Sequence, residues 1–183
     1  MGAAKPVPAV TGNKPGSAAR FVEIARSQIG VVEGPKDNET DFGKFTKHDE
    51  QPWCGSFMMW CADQSKVKIP SVVATIAGAE AFKKAGKWTD AKDANPKLGD
   101  IVFFHFAAEA KSTDQIQHVG VVVKDNGDGT IVTVEGNTSP DSKPAGSAAN
   151  GGEVAMNVRG YKPGNKRGKW AVVVGFGHPD YTA

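Results

Sequence analysis

The spacing of apolar and polar positions divides this chain into a helical first half and a strand-rich second half. Apolar residues at helical spacing predict helices over residues 17–29, around 42–45, from 52 to about 65, and over 75–85. β-Branched and aromatic runs between turn residues predict strands over residues 101–104, 119–123, 130–134, 154–158 and 170–176. Helices followed by a meander of strands favour an α+β fold, with N-terminal helices packed on an antiparallel β-sheet.

The third predicted helix contains a candidate nucleophile. Cys54, Phe57, Met58 and Cys61 fall on one helical face, and Pro52 suits an early helical position. A thiol in the first turn lies near free backbone N–H groups and the positive end of the helix dipole, which favours the reactive thiolate. A buried, inert cysteine is the alternative, because free cysteines are common in cores. The choice between a reactive and an inert cysteine depends on finding a base elsewhere in the sequence.

The strand pattern provides a candidate base. The sequence NGDG after residue 125 predicts a hairpin, and a register that pairs Val123 with Thr130 sets His118 opposite Glu135. Opposed residues have Cβ atoms about 5 Å apart, within reach of an imidazole–carboxylate hydrogen bond. Asn137 projects from the same face if the strand continues. A histidine bonded to a carbonyl and a solvated carboxylate remain the structural alternatives.

Composition limits the other possibilities. A length of 183 residues predicts one domain, over 17–183, after a Pro-, Gly-, Ala- and Lys-rich segment, 1–16, that we interpret as a flexible tail or linker. The net charge of +2 is too small to indicate nucleic-acid binding, and no apolar run is long enough to span a membrane. The start lacks the apolar core of a secretory signal, so we expect synthesis in the cytoplasm.

Several segments together resemble the CHAP family, the cysteine- and histidine-dependent amidohydrolases/peptidases. Residues 53–60, WCGSFMMW, resemble its cysteine helix; residues 118–122, HVGVV, its histidine strand; and residues 134–138, VEGNT, its Glu-Gly-Asn segment. Residues 96–104, PKLGDIVFF, resemble the strand that precedes the histidine. Residues 33–43 resemble members from phages of actinobacteria.

The resemblance implies a papain-like fold and hydrolysis of peptidoglycan amide bonds. It also implies that Cys54 is the nucleophile, His118 the base, Glu135 the orienting residue and Asn137 an auxiliary polar residue. The backbone N–H of Cys54 would stabilise the oxyanion, with Gln51 as a candidate second donor.

Trp53 and His48 are the candidate substrate-binding residues, because both adjoin the cysteine in sequence. Some family members bind calcium, and Asp37, Glu39 and Asp41 lie close together here. Their spacing lacks the twelve-residue calcium loop and its closing glutamate. We therefore expect no metal and no cofactor.

The expected partner is the peptidoglycan of Gram-positive cell walls, with actinobacterial walls indicated by the resemblance of residues 33–43. We expect a monomeric phage endolysin that attacks it after the membrane is breached. The basic run over residues 159–170, which begins with Arg159, is typical of a solvated loop, although it could also help the protein approach an anionic wall. The bond remains open between the N-acetylmuramoyl-L-alanine amide and a stem or cross-bridge amide. Two other functions also remain open: an intracellular thiol amidase acting on small amides, and a non-catalytic wall-binding module on a degenerate hydrolase fold.

Overall fold

The computed structural model describes residues 2–106, 115–140, 151–162 and 172–182. Its helices are α1 (Ala18–Ser27), α2 (Asp41–Thr46), α3 (Cys54–Ser65) and α4 (Thr75–Lys84). Its strands are β1 (Trp88–Asp90), β2 (Ile101–His105), β3 (His118–Asp125), β4 (Thr130–Thr138), β5 (Glu153–Gly160) and β6 (Val172–Gly177). The strands form one sheet in the order β1-β6-β2-β3-β4-β5, and every neighbouring pair is antiparallel. The predicted α+β, papain-like class is confirmed.

The helices are close to the predicted ranges. Ser17 caps α1 by accepting a hydrogen bond from the Arg20 N–H, as its side-chain chemistry predicts. The cysteine helix begins at Cys54, so the prediction that Pro52 is an early helical residue was wrong. The reason lies in Trp53, whose backbone is non-helical (φ −112°, ψ 14°) and which occupies the N-cap position. The later start makes Cys54 the first helical residue.

The sheet is covered by apolar side chains on both faces. On one face, Phe57 and Met58 of α3 pack in a cluster with Val121 and Val134 of the sheet. The opposite face carries a second cluster, built from the buried side chains of Ala91, Ala94, Val102, Phe104, Val122, Ile131, Tyr161, Val173 and Phe176. Because His118 pairs with Phe104 across β2 and β3, its side chain belongs to this second face. A polar group there is surrounded by apolar packing.

The β3–β4 hairpin differs from the predicted register. The Asn126 N–H bonds to the Thr130 carbonyl, so Asn126 lies opposite Thr130. The predicted pairing of Val123 with Thr130 would leave a longer turn, over residues 124–129. The observed, shorter turn displaces the register by an odd number of residues, which alone would send His118 and Glu135 to opposite faces. A bulge between Val122 and Lys124 adds one residue to β3 and makes the displacement even. The two side chains therefore share a face as predicted, but they are not directly opposed.

Residues 2–16 form neither helix nor strand, yet they contact the rest of the protein. The Gly2 N–H bonds to the Val32 carbonyl, and the Arg20 guanidinium bonds to the carbonyl groups of Pro8 and Ala9. The side chains of Ala4 and Val7 pack against the apolar cluster that contains Phe57 and Met58. The boundary between a tail at 1–16 and a domain at 17–183 stays a prediction. In the described part of the chain, no helix has the length and apolar character needed to cross a bilayer.

Candidate active site

Cys54 lies at the N-terminus of α3, beside β3. Its thiol is nearly buried, with 3% of the residue exposed. Burial by itself would raise the pKa of the thiol, but the His118 ring and the backbone N–H groups of Val119 and Gly55 outweigh it and lower that pKa. Cys61, two turns further along the same helical face, has no such partners, and burial raises its pKa well above the usual value. Of the two free cysteines, Cys54 has the environment of a nucleophile.

His118 begins β3 and is completely buried. Its Nε2 lies 2.9 Å from Oε2 of Glu135, whereas Nδ1 has no hydrogen-bonding partner in the described structure. With Nε2 engaged, Nδ1 is the nitrogen that remains for the Cys54 proton. Burial would lower the pKa of His118, yet the interactions with Cys54 and Glu135 raise it to about 9. The lowered thiol pKa and the raised imidazole pKa together favour a thiolate–imidazolium pair.

Glu135 is a fully buried carboxylate surrounded by donors. Arg159 donates from Nε to Oε1 at 2.9 Å and from Nη2 to Oε2 at 2.8 Å, a bidentate ion pair. Thr133 donates its hydroxyl to Oε1 at 2.6 Å, and Thr138 donates to Oε2 at 3.3 Å. Burial alone would raise the pKa of Glu135, but the charge of Arg159 and the hydrogen bonds to His118 and Arg159 hold it well below its usual value. The group beside His118 is therefore an ionised carboxylate.

Arg159 is the residue of the site that the sequence pattern missed. The pattern grouped it with a basic, solvated run, but it lies in β5 and is only 4% exposed. In the structure, Ala155, Asn157 and Arg159 of β5 are buried at every second position, whereas the sequence has its large apolar residues at the positions between them. A buried glutamate on the neighbouring strand requires a counter-ion, and this arginine is within reach. Lys166, Arg167 and Lys169 of the same run lie outside the described residues.

Gly120 provides the space through which Glu135 reaches His118. Continuing the pairing of Val121 with Val134 sets Gly120 beside Glu135. A Cβ atom at position 120 would lie 2.7 Å from Cγ of Glu135, which is closer than two non-bonded carbon atoms approach in a folded protein. The missing side chain lets the carboxylate extend diagonally to the imidazole.

Asn137 is buried at the end of β4, and its role as an auxiliary polar residue stays a prediction. It adopts a left-handed backbone conformation (φ 51°) where the β4–β5 register shifts. Its side chain donates to Oδ1 of Asn38 at 3.2 Å and accepts from the Gly152 N–H at 3.1 Å. These contacts join the end of β4 to the loop before α2 and to the start of β5. In the structure, Asn137 fixes the chain next to the site, and Glu135 is the partner of His118.

Of the three other candidates near the cysteine in sequence, Trp53 is buried, whereas His48 and Gln51 are exposed and their roles stay predictions. Trp53 is fully buried, stacks on Phe42 and donates its indole N–H to Glu33 at 2.9 Å, so it positions the start of α3 and is not open to substrate. His48 is exposed, and its Nδ1 donates to the Thr46 carbonyl at 2.8 Å. Gln51 is exposed just before the helix, and its role as an oxyanion donor stays a prediction.

The acidic residues before α2 are bound by protein groups. Asp41 accepts from the Ala4 N–H at 3.0 Å, Glu39 pairs with Lys44 at 3.2 Å, and Asp37 accepts from the Asn38 side chain at 3.1 Å. Across the described ranges, no group of three His, Cys, Asp or Glu side chains could hold a metal ion. That activity needs no metal stays a prediction.

The arrangement has the parts of a cysteine hydrolase: a thiol at a helix N-terminus, an imidazole that takes its proton, and a carboxylate that holds the imidazole. The model of the CHAP domain family matches residues 46–137, which are 92 of the 183 residues and include Cys54, His118 and Glu135. No curated protein matches the chain significantly. The chain belongs to the CHAP domain family and is a cysteine- and histidine-dependent hydrolase.

Proposed function

We propose that the protein hydrolyses an amide bond of bacterial peptidoglycan. The observation that carries this proposal is the connected series of Cys54, His118 and Glu135, in which the pKa of the thiol is lowered and that of the imidazole is raised to about 9. Membership of the CHAP family and the resemblance of residues 33–43 to members from actinobacterial phages support peptidoglycan as the substrate.

The geometry supports a two-step acyl transfer. His118 holds the proton of Cys54, and the thiolate attacks the amide carbonyl carbon to form a C–S bond. The oxyanion is stabilised by the Cys54 backbone N–H, with Gln51 as the candidate second donor. The C–N bond then breaks as the imidazolium gives its proton to the leaving amine. Water, deprotonated by His118, cleaves the thioester and releases the carboxylic acid, which restores the thiol.

Glu135 keeps the imidazole oriented through both steps. Its bond to Nε2 fixes the ring so that Nδ1 remains available to the thiol, the leaving amine and water in turn. The rings of Phe104 and Phe106, with centroids 5.6 and 5.2 Å from that of His118, flank the imidazole and restrict its rotation.

We further propose that the protein acts as a monomeric phage endolysin. It would be made in the host cytoplasm and would reach Gram-positive peptidoglycan once the membrane is breached. The small net charge and the basic residues after β5 are compatible with the approach to an anionic wall.

Turbidity of purified Gram-positive cell walls tests this proposal against the two alternatives. A peptidoglycan hydrolase clears the suspension, a wall-binding module sediments with the walls without clearing them, and a small-amide amidase releases product only from soluble amides. Clearing that is equal with wild type and with Cys54→Ser would overturn the proposal.

The bond that is cut requires a second measurement, because the three residues do not encode it. Mass spectrometry of the released muropeptides distinguishes the two classes. Glycan strands without peptides, together with intact stem peptides, identify the N-acetylmuramoyl-L-alanine amidase. Glycan strands that retain shortened or uncrosslinked stems identify an endopeptidase.

A further inference from the structure

The buried charges of the site form an alternating series across four elements. The Cys54 thiolate on α3, the His118 imidazolium on β3, the Glu135 carboxylate on β4 and the Arg159 guanidinium on β5 follow one another. The titratable groups that act on His118 are Cys54 and Glu135, and those that act on Glu135 are His118 and Arg159. With Arg159, two negative charges face two positive ones. Without it, two buried anions would share a single cation.

Arg159 is itself held rigidly. Its guanidinium carbon lies 5.7 Å from the centroid of the Phe104 ring, and that ring also lies against His118. The guanidinium binds both carboxylate oxygens of Glu135, which fixes the plane of the carboxylate as well as its charge. Arg159 lies outside the residues matched by the family model, so the match itself assigns it no role.

We propose that Arg159 is a positioning residue of the active site, which holds Glu135 ionised and oriented so that the charge of His118 is available to the Cys54 thiolate. Its assignment to the reaction rests on the proposed function, but its effect on the thiolate does not depend on the substrate. When the guanidinium is removed, the Glu135 carboxyl group has two possible protonation states. It either remains an anion that competes with the thiolate for the imidazolium, or it takes up a proton and no longer supports that imidazolium. Both outcomes disfavour the thiolate.

The test is the pH dependence of Cys54 alkylation by iodoacetamide, read by mass spectrometry of the Cys54 peptide. This readout needs no cell wall. The Arg159 proposal can therefore fail while the proposed wall-lytic function is upheld, and the reverse is also possible. We expect Arg159→Met to move half-maximal alkylation upward by about one pH unit, which is about tenfold slower alkylation at any pH well below the wild-type midpoint. Arg159→Lys, which keeps the charge and loses the bidentate geometry, should move it less.

Two controls separate positioning from a general loss of stability. Arg20→Met removes another buried guanidinium, which pairs with Glu23 on α1 at 2.8 Å, and should leave the alkylation profile unchanged. In a Glu135→Gln background, Arg159→Met should cause no further upward shift, because the arginine acts through the carboxylate.

An Arg159→Met protein that folds and has the profile of Arg20→Met would overturn the proposal. So would an upward shift of equal size in the Glu135→Gln background. If circular dichroism shows Arg159→Met to be unfolded, Arg159→Lys decides. An upward shift of half-maximal alkylation by at least about half a pH unit then supports the proposal, and an unchanged profile overturns it.

Discussion

At the scale of single residues, two cysteines on the same helical face differ only in what surrounds them. Cys54 faces an imidazole and two backbone N–H groups, whereas burial alone governs Cys61. The helical spacing predicted that both would be buried, and the first-turn position favoured a lowered pKa at Cys54, which is the direction that its surroundings give. What the spacing could not show was the Val119 N–H, because that donor belongs to another element.

We predict that Cys54→Ser lowers wall-lytic turnover by at least about a thousandfold, whereas Cys61→Ser retains most of it. A serine hydroxyl at position 54 is a far weaker nucleophile at neutral pH than the thiolate. At position 61 a hydroxyl in the core lowers the unfolding free energy by about 1–2 kcal/mol. Turbidity rates and thermal melts check both variants. Comparable losses of turnover in two folded variants would show that Cys54 has no special role.

Glu135 and Asn137, like Cys54 and Cys61, are distinguished by the groups that they contact. We predict that Glu135→Gln reduces turnover at least about tenfold more than Asn137→Ala, equivalent to about 1.4 kcal/mol of barrier. The glutamine loses the charge that faces the imidazolium, whereas Asn137 contacts Asn38 and Gly152. We expect Asn137→Ala to lower the melting temperature instead. Steady-state lysis rates with melts run alongside decide between them, and a greater loss of turnover in folded Asn137→Ala would contradict the assignment.

The pH profile provides a separate prediction. The active pair needs an ionised Cys54 and a protonated His118, so wild-type activity should decline as pH rises through about 9, the pKa of His118. Glu135→Gln removes the anion that stabilises the imidazolium, which lowers that pKa. The alkaline limit should therefore move to lower pH. Lysis rates between pH 5 and 10 measure it, and an alkaline limit that stays in place would count against the His118–Glu135 coupling.

At the scale of elements, the β3–β4 hairpin shows how far local pattern can reach. The NGDG sequence identified the turn, but the predicted register was wrong, and His118 and Glu135 share a face because the bulge makes the displacement even. The exact register could not be predicted, because the length of the connection and the bulge beside Val122 depend on packing. The contact of Arg159 with Glu135 was not predicted, for a related reason. It depends on the pairing of β4 with β5, and the sequence between these strands contains no short turn motif.

Gly120 allows the hairpin geometry to be tested directly. We predict that Gly120→Ala lowers turnover at least about tenfold, because a Cβ atom would displace Glu135 from His118. Gly177→Ala is the matched control: its Cβ atom would lie 2.5 Å from the Phe82 ring, away from the site, so it should destabilise the sheet without a specific loss of turnover. Rates are compared below both melting temperatures. Wild-type turnover in Gly120→Ala would contradict the diagonal path of the carboxylate.

At the scale of the whole molecule, the sheet holds three of the four charged groups, and α3 presents the fourth at its N-terminus. Fold class, helix ranges and the residues Cys54, His118 and Glu135 followed from pattern and resemblance, because each depends on local spacing. The partners of Trp53, Asn137 and Arg159 did not, because each is set by segments distant in sequence. The structure therefore adds the surroundings of the three candidate catalytic residues.

The release of new amino groups from purified peptidoglycan tests the central claim most directly. Hydrolysis of any amide in the polymer produces one free amine and one carboxylic acid for each bond, and no new reducing sugar. We predict that wild type releases amines from Gram-positive walls in step with the loss of turbidity, and that folded Cys54→Ser releases none above background. Release of reducing sugar without amines, or amine release that survives Cys54→Ser, would contradict the assignment of a cysteine-dependent peptidoglycan amide hydrolase.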